Sequence, residues 1–181
     1  MHRLISLLIL AVALLTAITL CAQGTTSSAT ATCNFDPDKQ ITVEYQRVTV
    51  NSKQPVFGHM IPYNKTWAPG SKPVTFFVNT PVAVNGHDIP LGAYTMFVIP
   101  AEKQWTLVIS RSTDTSGRYD EKDDLVRVPM EYGELSNPED EFSVYFAHVA
   151  PNQCSMRMDL EKSRAWVIFT ERWDADLRSR G

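Results

Sequence analysis

The chain has 181 residues, with 17 Lys and Arg against 20 Asp and Glu and a formal net charge of −3. A mildly acidic chain without a basic cluster is a poor candidate for binding nucleic acid or an anionic membrane surface. The length suits one domain with a proper core, and the sequence shows neither repeats nor an interdomain linker.

The first 22 residues have the order of a secretory signal peptide. A short positive start that contains Arg3 precedes an apolar stretch over residues 4–20, and Ala22 supplies a small residue at the expected cleavage position. This apolar stretch is shorter than the roughly 20 residues that a spanning helix needs. We therefore expect cleavage after Ala22, no membrane span in the mature protein, and an extracytoplasmic location, periplasmic or secreted.

Cys21 leaves a second interpretation of the N-terminus open. A cysteine that closes an apolar stretch is the position at which bacterial lipoproteins are lipidated. Leu20 precedes it here, whereas a lipobox places a small residue at that position. Simple cleavage is therefore preferred over lipidation at Cys21.

The rest of the chain is typical of an all-β protein. Residues 23–39 are expected to be a flexible leader, residues 40–173 the folded domain, and residues 174–181 a C-terminal tail in which a short helix is the only helical candidate. Short β-rich segments separated by turns, with 11 prolines and 8 glycines, predict a single antiparallel β-sandwich of Greek-key or jelly-roll type with about nine or ten strands. The candidate strands are residues 41–50, 55–61, 74–79, 82–84, 93–99, 105–110, 125–130, 142–149, 155–160 and 165–170.

The segment from residue 87 to residue 110 gives the clearest evidence for antiparallel structure. Asn85-Gly86 is a two-residue hairpin turn sequence, and the two apolar strands that follow, joined by residues 101–104, predict a hairpin in the middle of a sheet. Tyr94 lies two residues after Gly92, a spacing similar to that of a tyrosine corner, so we assign both residues structural roles.

Cysteine content predicts one disulfide. Removal of the signal peptide leaves Cys33 and Cys154 as the one available pair in an oxidising compartment. Such a bond would close a loop of more than a hundred residues.

Several segments together resemble the bacterial DUF2911 family. Residues 54–70 read Gln-Pro-Val-Phe-Gly-His-Met-Ile-Pro-Tyr-Asn-Lys-Thr-Trp-Ala-Pro-Gly, similar to the opening of that family. The resemblance continues through residues 74–77, 89–100, 102–109, 119–128 and 156–169. It implies a secreted or envelope-associated domain of unknown function, and it supplies no catalytic residues.

One turn departs from the family. Members commonly place an arginine after the tryptophan and polar residues such as asparagine and glutamate after the glycine. This chain has Ala68 after Trp67, and Ser71, Lys72 and Pro73 follow the glycine. Any binding function of this turn would therefore use different polar groups here.

The sequence contains no recognisable catalytic motif, so we expect a non-catalytic domain that binds a small ligand, a glycan or an envelope protein. The loop over residues 59–70 is rich in aromatic residues, proline and glycine, which is unusual for a segment that lies entirely in the core. The candidate ligand-binding residues are His59, Tyr63, Trp67 and Gly70.

The alternative is a hydrolase or metal-dependent enzyme built from His59, Asp124 and neighbouring acidic residues. However, His59, His87 and His148 have no metal-ligand spacing, and residues 114–124 lack the acidic ladder of an EF-hand. We therefore expect no metal and no cofactor. Asp124 and Arg127 are three apart in a predicted strand, hence on opposite faces and unpaired.

Overall fold

The computed structural model describes residues 27–50, 55–69, 73–114 and 116–172. These residues form ten strands in two antiparallel sheets, which confirms the predicted β-sandwich. The strands are β1 (Ser28–Asp36), β2 (Lys39–Gln46), β3 (Val74–Val78), β4 (Val82–Val84), β5 (His87–Ile89), β6 (Gly92–Ile99), β7 (Thr106–Ser110), β8 (Asp124–Pro129), β9 (Glu131–Ala150) and β10 (Gln153–Glu171), and a 3₁₀ turn (Glu121–Asp123) precedes β8.

The first sheet has six strands in the order β1-β2-β3-β6-β7-β8. The predicted hairpin of β6 and β7 is present, with Val98 opposite Leu107, and β6 lies inside the sheet between β3 and β7. Along β6, Tyr94, Met96 and Val98 face the core, as expected from the period of two along a strand.

The second sheet has four strands in the order β5-β4-β10-β9. The turn between β4 and β5 is formed by Asn85 and Gly86, with φ angles of 46° and 82°, and Val84 pairs with His87 across it. Positive φ at both central residues is the requirement of a type I′ hairpin turn. The hairpin predicted from Asn85-Gly86 is therefore confirmed.

Aromatic and aliphatic side chains fill the space between the two sheets. Phe76 on β3 packs on Phe169 of β10, with ring centres 5.2 Å apart. Trp105, just before β7, and Phe142 on β9 are fully buried. Burying a side chain of this kind contributes about 1.5–3 kcal/mol, so contacts between the sheets are the main source of stability.

The N-terminal segment differs from the expected flexible leader. Residues 28–36 form β1, an edge strand in which Cys33 pairs with Ile41 of β2. The core-facing positions of β1 include Ala29 and Ala31, which are only weakly apolar, while the alternate positions are polar and exposed. Hydrophobic alternation is therefore faint in the sequence although the strand is well paired.

Three further strand predictions need correction. Residues 55–61 form turns, because Gly58 has φ of 83° and the N–H groups of Met60 and Ile61 both donate to the carbonyl of Val56. β9 begins at Glu131 rather than at residue 142, and the two predicted strands at 155–160 and 165–170 are one strand, β10. The added residues are mostly polar and are exposed or half-buried, so they lack the apolar character on which the prediction relied.

β10 is bent back so that its two ends lie side by side. A straight strand of 19 residues would be about 60 Å long. Nevertheless the N–H of Glu171 donates to the carbonyl of Asn152, 2.9 Å away, directly before the strand begins. The register against β9 shifts between Asp159 and Ser163, and Glu161 between them has φ of 53°. The bend therefore centres on Glu161, a conformation uncommon for any residue other than glycine.

The predicted disulfide between Cys33 and Cys154 is present and joins β1 to β10, so it links one sheet to the other. The expected signal peptide, Cys21, Gly70 and the C-terminal tail lie outside the described residues. Within the described ranges, no helix has the length and apolar character to cross a membrane.

Candidate functional site

The loop over residues 55–69 is held at one end of the sandwich by its own turns. The N–H of Gly58 donates to the carbonyl of Ile61 at 2.7 Å, while Val56, Phe57 and Ile61 are buried in the core. A Cβ atom at Gly58 would lie 2.7 Å from Cε2 of Tyr63, and φ at Gly58 is 83°. Glycine is therefore required here both by the backbone conformation and by the close approach of the Tyr63 ring.

Trp67 is built into the structure at the base of this loop. Its N–H and carbonyl exchange hydrogen bonds with Val98 of β6 at 2.7 and 3.0 Å. Trp67 thus continues the pairing along β6 beyond the end of β3. The indole packs edge-to-face on Phe142, Phe57 and Trp105, with ring centres 5.4, 5.9 and 6.5 Å away. Such pairs add about 0.5–1.5 kcal/mol beyond area burial, so Trp67 has a packing role whether or not it also touches a ligand.

Tyr63 is half-buried, and groups from three other parts of the fold act on its phenol. Burial raises the pKa of Tyr63 above its usual value, and the charge of Glu102 in the β6–β7 loop raises it further. Tyr132 of β9 and Glu161 of β10 act on the phenol in the same direction. One phenol and two carboxylates from elsewhere in the fold thus lie within electrostatic range of Tyr63, whose phenol stays protonated at neutral pH. We call Tyr63, Glu102, Tyr132 and Glu161 the tyrosine–glutamate cluster.

The bend in β10 connects this cluster to the loop. Both carboxylate oxygens of Glu161 accept from the N–H of Val56, at 3.1 and 3.0 Å. Next to the bend, Arg164 donates from Nε and Nη2 to the two oxygens of Asp159, at 2.8 and 2.5 Å. Asp159 is 1% exposed, so this bidentate ion pair is buried on the carboxylate side and fixes the two arms of the bend relative to each other.

The other predicted site residues have different surroundings. His59 and Met60 are exposed at the rim of the loop, with Met60 62% exposed. Gly70 lies outside the described residues, so the predicted four-residue site is only partly visible. The structure adds Glu102, Tyr132 and Glu161, which the sequence analysis missed because they are distant in sequence from the loop.

The two residues predicted to be structural lie at the entrance to β6. The Tyr94 hydroxyl donates to the carbonyl of Pro90 at 2.9 Å, which is the hydrogen bond expected of a tyrosine corner. A Cβ atom at Gly92 would lie 3.1 Å from the Tyr94 ring and its hydroxyl. Burial raises the pKa of Tyr94, so the phenol remains a donor.

The prediction that Asp124 and Arg127 do not pair is wrong. Nε and Nη2 of Arg127 donate to Oδ2 of Asp124, at 3.1 and 2.9 Å. The register between β7 and β8 shifts so that Ile109 lies opposite Val126 but Ser110 lies opposite Asp124. The extra residue is a β-bulge, and it turns Asp124 to the same face as Arg127.

Tyr119 completes this ion pair on the outer face of the first sheet. Its hydroxyl donates to Asp124 Oδ2 at 2.9 Å and accepts from Arg127 Nη2, while its ring packs edge-to-face on Phe97. Burial, followed by the hydrogen bond and charge of Asp124, raises the pKa of Tyr119 to about 12. Among the described residues, Asp124 is thus hydrogen-bonded to Arg127 and Tyr119, and no hydrogen bond joins it to His59.

One further group of chemically capable side chains surrounds the disulfide. Nε2 of His148 on β9 lies 3.6 Å from Sγ of Cys33, and His148 pairs with Cys154 across the β9–β10 hairpin. The nearest ligand atoms of the three residues all lie within 4.8 Å of one another. The sequence analysis considered His148 only together with the other histidines and did not connect it to the cysteines.

Taken together, the fold and the site define a disulfide-linked β-sandwich with a loop-borne aromatic and acidic cluster at one end. The chain matches the family described as "Protein of unknown function (DUF2911)" over residues 26–169. It therefore belongs to the DUF2911 family, as the resemblance in the sequence indicated. Searches of curated proteins and of solved structures gave no match to this chain.

Proposed function

We propose that this protein is an exported, non-catalytic β-sandwich domain that binds a small ligand, a glycan or an envelope protein through the loop over residues 59–70. The observation that carries the proposal is the tyrosine–glutamate cluster. Its groups come from the loop, the β6–β7 connection, β9 and β10, and the charges of the other three raise the pKa of the half-buried Tyr63. A partly exposed aromatic residue on a fixed loop, with acidic side chains near it, is typical of recognition sites.

The chemistry of the cluster favours a ligand rich in hydroxyl groups. Ionised carboxylates accept hydrogen bonds, so Glu102 and Glu161 suit sugar hydroxyls as donors. Tyrosine combines an apolar ring with a hydroxyl at its tip, so Tyr63 and Tyr132 suit a ring with both apolar and polar parts. A glycan is therefore the first ligand class to test.

The strain at Glu161 is consistent with a binding role. Left-handed conformations at residues other than glycine cost of order 1–3 kcal/mol and cluster at functional sites. The carboxylate of Glu161 is held by the Val56 N–H, which ties the bend in β10 to the loop. The position of Glu161 is thus fixed both by the bend of its own strand and by its hydrogen bonds to the loop.

Export is supported by the N-terminal sequence and by the disulfide. The order of the first 22 residues is that of a signal peptide. Disulfides such as the Cys33–Cys154 bond form and persist in oxidising compartments, for example the periplasm or the extracellular space. An epitope-tagged chain recovered from the extracytoplasmic fraction, with its new N-terminus at Gln23, would support this part of the proposal. Recovery of the uncleaved chain from the cytoplasm would refute it.

A thermal-shift screen against cell-wall fragments, soluble glycans and metal ions tests binding. A ligand at about one hundred times its dissociation constant adds about 2.7 kcal/mol to the free energy of unfolding, which raises the melting temperature measurably. Tyr63→Phe and Glu102→Gln retain most of the packing, and we expect each to reduce the shift produced by a true ligand.

Tyr145→Phe is the matched control, because Tyr145 is an exposed tyrosine on β9, 48% exposed, outside the cluster. It should leave the shift unchanged. Binding that survives both cluster substitutions would show that the ligand uses another surface. Trp67→Ala is less suitable, since the aromatic contacts of Trp67 predict a loss of stability from packing alone.

A further inference from the structure

The disulfide and His148 form a compact set of three metal-ligating side chains. Cys33 comes from β1 in the first sheet, whereas His148 and Cys154 come from adjacent strands of the second. The two cysteines are 3% and 0% exposed, and His148 is exposed. The set is thus closed on the sulfur side and open on the histidine side, from which an ion could enter.

The separation of His148 from Cys33 matches that of two ligands on one tetrahedral zinc ion. Zinc binds thiolate at about 2.3 Å and imidazole at about 2.0–2.1 Å, so a tetrahedral angle places sulfur and nitrogen ligands about 3.6 Å apart. The observed separation of His148 Nε2 and Cys33 Sγ is 3.6 Å. The same geometry needs the two sulfurs about 3.8 Å apart, so the bond between them must be broken before both can bind one zinc ion. The two cysteines and His148 would then supply three of the four zinc positions.

We propose that Cys33, Cys154 and His148 form a redox-gated zinc site, which is closed while the disulfide is intact and binds zinc when the disulfide is reduced. Water fills the fourth position on the exposed side, as in zinc sites with three protein ligands. The site is separate from the tyrosine–glutamate cluster and does not depend on the proposed binding function.

The redox step requires an external dithiol as the reductant. A thiolate of the dithiol attacks one sulfur, the Cys33–Cys154 bond breaks, and the second thiol of the reductant resolves the mixed disulfide. The reductant leaves as its own disulfide after giving two electrons, and the protein holds two thiols. Zinc then displaces the two thiol protons and accepts the lone pair of His148 Nε2.

The test is a zinc titration of the folded full chain before and after reduction, with a chromophoric chelator as competitor and a phosphine as a reductant that is not itself a thiol. We expect one zinc per reduced chain and none for the oxidised chain at the same concentrations. Cobalt substituted for zinc should give thiolate-to-metal absorption in the reduced chain only. Circular dichroism recorded in parallel reports whether the reduced chain is folded.

Two substitutions decide whether the three residues act together. Loss of a residue that merely supports a ligand commonly lowers metal affinity 10- to 100-fold, so His148→Ala should weaken zinc binding at least about tenfold. His87→Ala, which removes an exposed histidine on β5, should leave the affinity unchanged. Equal affinity in His148→Ala and the parent chain would overturn the proposal, because it would mean binding by the thiols alone. Loss of the folded spectrum on reduction, or absence of zinc binding, would also overturn it.

Discussion

Reduction of the Cys33–Cys154 disulfide should destabilise the domain strongly, because the bond closes a long loop. The two cysteines are 121 residues apart in sequence. In the chain-entropy treatment the bond removes about 16 cal/mol/K from the unfolded ensemble for a loop of this length, or about 5 kcal/mol at 25 °C. Domains are typically stable by 5–15 kcal/mol. The reduced chain should therefore have a much smaller margin of stability, and the zinc site requires that this margin stay positive.

Urea denaturation of the oxidised and the phosphine-reduced chain measures this difference. With a slope of about 2 kcal/mol/M, a change of 5 kcal/mol moves the midpoint by about 2.5 M urea. Reduction leaves the packing of both side chains nearly intact, so the comparison isolates the cross-link better than a substitution does. A variant with both cysteines replaced by serine is the control, since the reductant should not change its midpoint. A difference below about 1 kcal/mol between oxidised and reduced chains would refute the loop-closure reasoning.

Three other predictions concern the bend, the loop and the outer face. Arg164→Ala leaves the buried carboxylate of Asp159 without its partner, so it should lower the free energy of unfolding by about 3–5 kcal/mol in urea denaturation. Replacing both residues by apolar ones should lower it less. Equal losses of stability in the two variants would argue against the ion pair. Gly58→Ala places a Cβ atom 2.7 Å from the Tyr63 ring at a φ of 83°, so it should destabilise the domain by more than the roughly 1 kcal/mol typical of Gly→Ala strain. An unchanged free energy of unfolding would mean that the loop readily moves. The pKa of Tyr119 is about 12 in the folded state, against an ordinary value of 10.0. The neutral phenol therefore stabilises the fold below pH 10, and this contribution disappears between pH 10 and 12. Tyr119→Phe should flatten that part of the stability-versus-pH curve and remove the last tyrosine transition in ultraviolet titration.

Local sequence rules predicted those elements in which neighbouring residues determine the backbone. Asn85-Gly86 specifies a type I′ turn because both positions accept positive φ, and the structure has that turn. The β6–β7 hairpin was predicted for a similar reason, since apolar strands flank a short loop. β1 was missed because its core side includes Ala29 and Ala31, whose small side chains give little periodic signal.

The candidate site could be predicted only in part, because most of its contacts are long-range. The loop carrying Tyr63 was identified from its composition, but Glu161 reaches the loop only through the bend in β10. The pairing of Asp124 with Arg127 was excluded on the assumption of a regular strand, and one bulge reversed the outcome. Bulges and bends depend on how two strands fit together, so a single strand's sequence does not reveal them.

The same bend also links stability to the proposed recognition site. Glu161 is held in a left-handed conformation that costs of order 1–3 kcal/mol, while its carboxylate satisfies the N–H of Val56. If the fold alone determined this position, glycine would adopt the bend without strain, and asparagine would serve better than glutamate. A long acidic side chain at a left-handed position is therefore best explained by what its carboxylate does, which is to fix the loop and to add negative charge beside Tyr63. The strain at Glu161 and the acidity around Tyr63 are two consequences of one residue, and this makes the end of the sandwich at Glu161 the place to look for a ligand.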